Sequence, residues 1–283
     1  MAREKVFIAS SVGKGKEYAL PLLKGFYERE AYAGDTVFTV VDDAEGVEGL
    51  QGETVTLPPF KGSVGRSGRI ARVREVIRKK FLESDCNWLY WHDCDMEPEQ
   101  GIIERLMEIG SFVSGLYICR SQREPLAPIM LTVDQGAYAT ALVNCSIFEE
   151  PYPKVLGVGF GCLLMSREIA EKTAFRDPKW YDKNFASEDY QYCLDTGIKP
   201  VVNTQEVVWH VDEKGNGVLP IVGEPVFSVV YVGHAQAIHN KYGYWERGIP
   251  HTDITEEQAS TLHSEEFKTG IMHSVNVEIK QFL

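Results

Sequence analysis

The sequence predicts an α/β fold, a mostly parallel sheet flanked by helices with a small β-containing C-terminal extension. Three observations predict it. Over the first 120 residues, short β-branched or apolar runs alternate with helix-length amphipathic stretches, the pattern of strand–helix–strand units. The 283 residues, 44% hydrophobic and 25% charged, suffice for one sizeable core. Finally, Ser10, Asp42, Asp43, Asp93 and Asp95 all fall where predicted strands end, the edge of a parallel sheet at which ligands bind.

The elements follow in order. KVFIAS (Lys5 to Ser10), closed by Ser-Ser and a glycine-rich turn, reads as a buried first strand. Between Lys16 and Ala33, Ala19, Leu20, Leu23, Phe26 and Tyr27 recur at helical spacing until Gly34-Asp35 stops them. TVFTVVDD (Thr36 to Asp43) is a second strand and ETVTLP (Glu53 to Pro58) a third. Arg66 to Leu82 reads as a helix with Ile70, Val73, Ile77 and Phe81 as its apolar stripe. NWLYWHDCDMEPEQ is a strand running into acidic residues, Gly101 to Gly110 a helix, and Ser111 to Cys119 a further strand. Beyond residue 120, Pro128 to Val133 and Tyr138 to Asn144 suit a hairpin, and GVGFGCLLMS (Gly157 to Ser166) precedes a helix near Arg167. A last helix begins near Ser187, and VVWHV (Val207 to Val211) is a short strand. These readings divide the chain into a domain over residues 1–211 and an extension over 212–283, expected to serve oligomerisation or, on the resemblance given below, acceptor binding.

Composition narrows the function. Twenty-nine Lys+Arg against 41 Asp+Glu leave a net charge of −12, which argues against general nucleic-acid binding. Against that background, eight basic residues stand between Lys61 and Lys80 beside the single acid Glu75, a stretch suited to an anionic ligand or to a solvated helix face. No window approaches about 18 uninterrupted apolar residues, so no membrane span is expected. The six cysteines show no paired spacing and the start lacks a secretory pattern, which together suggest reduced thiols in the cytoplasm.

Four features carry candidate chemistry. Asp93-Cys94-Asp95 places two carboxylates two residues apart, on one side if the chain is extended, and such a pair suits a hard divalent cation. Glu188-Asp189 stands at a helix start behind Ser187, where the helix dipole alone accounts for acids, although either carboxylate could act as a general base. His210 lies in an apolar strand, as a core histidine or a metal ligand. Gly157, Gly159 and Gly161 permit close backbone approach to a ligand but lack the dinucleotide-binding spacing.

In that order, carboxylate pair, glycine loop, Glu-Asp and strand histidine, the sequence resembles GT-A-type glycosyltransferases of the family-2-like branch. The segments that carry the resemblance are VVDD, ARVREVI, WHDCDMEP, VSGLYICR, GVGFGCLLMSREI, ASEDYQYC and VVWHV, spanning about residues 5 to 211. The resemblance implies a Rossmann-like GT-A fold and a metal-dependent transfer of a sugar from a nucleotide-diphosphate sugar, a UDP- or GDP-sugar, to an acceptor hydroxyl with inversion. The acceptor class (glycan, small molecule or protein) and the oligomeric state are left open. By the same resemblance Asp95, Asp93 and His210 would hold Mn2+ or Mg2+. Ser10, Asp42 and Asp43 would meet the nucleoside, and Asp93 also the donor ribose and sugar. Arg72 would be the arginine of the family's Ala-Arg-Asn helix, with Val73 in place of the asparagine and Arg69 the alternative. Gly159, Phe160 and Gly161 would line the donor sugar and acceptor. Asp189 would be the general base with Glu188 orienting beside it. Ser10-Ser11 departs from the family's usual Pro-Thr-Tyr-Asn. Two other readings compete: a nucleotidyltransferase on a related fold, and a non-catalytic binder of sugar or nucleotide.

Overall fold

A computed structural model describes residues 4–58, 66–119, 154–176, 188–211 and 213, with short stretches of strand backbone at intervals from 127 to 139 and from 217 to 251. The expected N-cap Ser187 and most of the extension 212–283 lie outside the described residues. Of the expected hairpin, Val133–Asp134 pairs antiparallel with Tyr138–Ala139, but Pro128 pairs with Ile118 and Met130–Leu131 pairs with Gly157–Val158, so most of the first arm joins other strands instead.

The first half of the chain alternates as its periodicity predicts. Strand β1 (Val6–Gly13) is followed by a 3-10 turn and helix α1 (Leu20–Glu30), then β2 (Thr36–Asp42), β3 (Glu53–Thr56), α2 (Arg66–Glu83) and β4 (Trp88–Asp93). A two-residue strand β5 (Met96–Glu97), helix α3 (Ile102–Ile109) and β6 (Phe112–Leu116) come next. The second half adds β7 (Cys162–Ser166), α4 (Arg167–Lys172), α5 (Glu188–Thr196), β8 (Val201–Val207), β9 (Trp209–Val211) and β10 (Gly217–Val218).

Seven strands form the main sheet in the order β8-β6-β7-β4-β1-β2-β3. Every neighbouring pair is parallel except those made by β7, which runs antiparallel to both β4 and β6. The pleat sends alternate side chains to opposite faces. Val6, Ile8 and Val12 of β1 pack with Leu23, Phe26 and Tyr27 of α1 and with Ile102, Ile103 and Leu106 of α3. On the other face Phe7 and Ala9 pack with Ala71, Val73, Ile77 and Phe81 of α2, with Ile169 of α4 and with Tyr192 of α5. The stripe read from α2 is therefore its sheet-facing side.

The structure corrects four readings. β1 runs on to Gly13, so Ser10 is not at a strand end. Ser10 is buried in mid-sheet between Thr39 and His92 because the Ser-Ser pair is absorbed into the ladder instead of ending it. The helix expected from Lys16 begins instead at Leu20 with a proline in its first turn, the position at which proline fits a helix. β7 and β8 were not anticipated as strands. β7 is nonetheless what positions the glycine loop, because its antiparallel course sets Cys162 beside His92 at the end of β4 and lets the Asp93 amide donate to the Gly161 carbonyl at 2.9 Å.

Candidate active site

The site is built on the carboxyl ends of β1, β2 and β4. β4 stops at Asp93, and Cys94 and Asp95 form a turn, so the two aspartates do not share one face of an extended strand. Asp93 falls on the α2 side and Cys94 packs into the core on the α1 side. The turn sends Asp95 to a third group of partners.

Asp95 is gripped on one oxygen. The ammonium of Lys16 donates to Asp95 Oδ2, the Tyr18 hydroxyl donates to the same atom at 3.2 Å, and His210 Nε2 lies 3.0 Å from it. Burial alone would raise this carboxyl's pKa, but the hydrogen bond and charge of His210, together with Lys16, hold it well below the ordinary carboxylate range. Burial pulls the Lys16 pKa down, and Asp95 more than offsets that, so the ammonium is favoured. His210 arrives by a separate ribbon. β9 pairs antiparallel with β5, setting His210 opposite Met96 and Trp209 opposite Glu97, while the Val211 amide donates to the Asp95 carbonyl at 2.8 Å. β10 pairs with the outer edge of β9. Trp209 is left largely exposed beside this ribbon.

The second group surrounds Arg74 of α2. This arginine is buried, with Nη2 3.8 Å from Glu188 Oε1 and Nη1 3.9 Å from Asp189 Oδ2. Its guanidinium lies over the Phe160 ring at 5.0 Å. Burial, with Asp189 beside it, pushes the Glu188 carboxyl up to about 7 against the pull of Arg74. Burial also raises Asp93, again opposed by Arg74. Tyr117 closes this side, its hydroxyl oxygen accepting the Gly161 amide at 2.7 Å. Gly161 is glycine for want of room, because a Cβ there would meet the Tyr117 ring at 2.9 Å.

A third contact lies toward β2. Arg69 donates to both carboxylate oxygens of Asp42, at 3.1 and 2.8 Å, and Asp43, at a positive φ of 59°, stands 3.8 Å from Lys14 Nζ.

The predicted site residues thus divide. Asp95 meets His210; Glu188 and Asp189 meet Arg74, which also acts on Asp93; Asp42 meets Arg69. Ser10 is buried in the sheet, and Arg72 lies on the exposed face of α2, two residues and about 200° from Arg74. Phe160 faces inward, 1% exposed among Trp91, Phe175 and Tyr192, so its ring supports Arg74 from below and does not line an open cleft. Gly159 is buried in the loop just before it. Sequence reasoning missed Arg74, Lys16, Tyr18 and Tyr117. Only Arg74 carried a signal, since it falls within the α2 apolar stripe, four residues after Ile70 and three before Ile77.

Among the described residues, no three His, Cys, Asp or Glu side chains gather around one point. What the site offers a divalent cation is the pair Asp95–His210. Its 3.0 Å separation matches the spacing of about 3 Å between adjacent ligands of an octahedral ion bound at 2.0–2.1 Å. The carboxylate suits Mn2+ or Mg2+, whose remaining positions ordinarily go to phosphate and water, and the imidazole is a common metal ligand that favours Mn2+ over the oxygen-seeking Mg2+.

No protein-family profile matches the chain, and no curated protein matches its sequence. Solved structures do. The structure of A197 from STIV aligns at TM-score 0.44 and 18% identity, over 81% of this chain and 98% of that one. The structure of GalNAc-T7 with UDP, GalNAc and Mn2+ aligns at TM-score 0.50 and 9% identity, over 74% of this chain and 44% of that one. Together with the sheet order and flanking helices, the second likeness decides the architecture. This is a GT-A-like fold. At such identity the likeness extends to the fold alone. No helix among the described residues is long and apolar enough to cross a membrane.

Proposed function

We propose that the chain is a metal-dependent glycosyltransferase that moves a sugar from a nucleotide-diphosphate sugar to an acceptor hydroxyl with inversion. One observation carries the reading: a cation-suited pair, Asp95–His210, and the carboxylates Glu188 and Asp189, of which burial raises Glu188, stand at one edge of a GT-A-like sheet with Asp93 between them. GalNAc-T7, of similar fold, holds UDP and Mn2+ in its structure.

Asp95 and His210 hold the cation, and a bound divalent ion would neutralise the charge gathering on the departing diphosphate. Asp189 takes the proton of the acceptor hydroxyl, with Glu188 beside it and Arg74 setting the charge of both. Asp93, between the two groups, orients the donor sugar. Asp42 and Arg69 bind the nucleoside end at the edge of β2. Trp209, exposed beside His210, offers a flat face to a base or sugar.

The test is a thermal-shift screen of nucleoside diphosphates and nucleotide sugars with and without Mn2+, since a ligand of the folded state raises its melting temperature. A rise for one nucleotide that requires Mn2+ and is lost in Asp95→Ala supports the reading. The absence of any metal-dependent shift overturns it.

A further inference from the structure

The turn between β1 and α1 sets a lysine ammonium on the oxygen a cation would take. Lys16 Nζ donates to Asp95 Oδ2, the same atom that lies 3.0 Å from His210 Nε2, and stands 3.4 Å from the Tyr18 hydroxyl oxygen. The Asp95 side chain is 4% exposed and that of Lys16 34%, so the ammonium reaches a buried carboxylate from the open side. A buried carboxylate requires a positive partner, and Lys16 supplies it. A divalent cation on Oδ2 and His210 would then stand beside an ammonium of like charge. Lys16 has a way out. It follows Gly15, a positive-φ glycine with nothing within 4 Å of where a side chain would project, in a turn at the carboxyl edge of the sheet, where ligands bind.

We propose that Lys16 is the resident counter-ion of the Asp95–His210 pair, displaced from Asp95 when a divalent cation binds and transferred to the donor's diphosphate. The proposal rests on the reading of this edge as a nucleotide-sugar site. It couples two binding events. Alone, the cation must evict an ammonium whose ion-pair partner among the described residues is Asp95, and a diphosphate provides another anion for it. Cation and diphosphate therefore strengthen each other's binding by the same factor. Tyr18, hydrogen-bonded to Asp95, stays to hold the carboxylate through the exchange.

The experiment measures Mn2+ uptake by the full chain, following the electron paramagnetic resonance signal of free Mn2+, first without nucleotide and then with UDP or GDP as probe. Lys16→Met is expected to bind Mn2+ about tenfold more tightly than the natural protein without nucleotide, and to gain less from the nucleotide, within the usual range of such couplings. Lys16→Arg, which keeps the charge, is expected to behave as the natural protein does. Equal or weaker Mn2+ binding by Lys16→Met overturns the role of Lys16 while leaving the metal site standing, provided Asp95→Ala abolishes uptake. No uptake by either the natural protein or Lys16→Met overturns this inference together with the metal site itself.

Discussion

Two groups of charge share the edge of one sheet and treat their carboxylates in opposite ways. Around Asp95, three donors converge on a single oxygen, and the acid is held ionised far below its ordinary range. Around Arg74, Glu188, Asp189 and Asp93 are served by one guanidinium at no closer than 3.8 Å to the first two, and burial drives Glu188 up to about 7. Both carboxylate sets are buried, so burial is not what separates them; the ratio of positive partners to acids is. A carboxylate fixed as an anion suits a cation, and a carboxyl raised to about 7, as Glu188 is, suits the exchange of a proton.

The largest expected effect comes from removing the single positive charge of the second group. Arg74→Met takes the guanidinium away from two buried acids, Glu188 and Asp189, and from the half-buried Asp93, and should cost about 3–5 kcal/mol. The sign with pH follows from the raised carboxyls. The folded state then holds protons that the unfolded chain, with its glutamates near 4.3, has released, so stability falls as pH rises. Thermal unfolding should show a larger loss at pH 8 than at pH 6, and an equal loss at both would break the contrast. Asp189→Asn comes next and should lower turnover by about 100-fold while leaving metal-dependent donor binding intact. In the natural protein turnover should fall as pH drops below about 7, where Glu188 takes up a proton; a flat profile between pH 6 and 8 would remove Glu188 from proton transfer. The smallest effect is expected of Gly161→Ala, whose methyl must push Tyr117 aside at a cost of about 1–3 kcal/mol. It sharpens the comparison, because it should disturb the Arg74 group and leave Mn2+ uptake at Asp95 unchanged.

How far the sequence disclosed this arrangement depended on distance along the chain. From β1 to α3 the periodicity reports every element but the two-residue β5, though not the end of β1 or the start of α1, because the rest are long or bounded by glycine and proline. β7 escaped, since CLLMS behind a glycine run and directly before a helix has no period to read. β8 escaped too, because Asn203, Thr204 and Gln205 interrupt its apolar run. The acids of the candidate site were legible as strand-end and helix-start residues; their partners were not. Lys16 meets Asp95 across 79 residues, and no local pattern marks such a meeting. Arg74 was the exception, an arginine inside an apolar stripe, which the exposed Arg72 obscured.

The ribbon of β9 on β5 also orders events during synthesis. Asp95 leaves the ribosome early and His210 arrives 115 residues later. Its strand gains an outer partner only at Gly217–Val218. A growing chain can lay down β1, β2 and β4, with their Lys16 and Asp95, long before the histidine exists. The acidic edge thus spends its infancy with an ammonium as its companion, and the pair proposed here to hold a cation is complete only when the chain is three-quarters made.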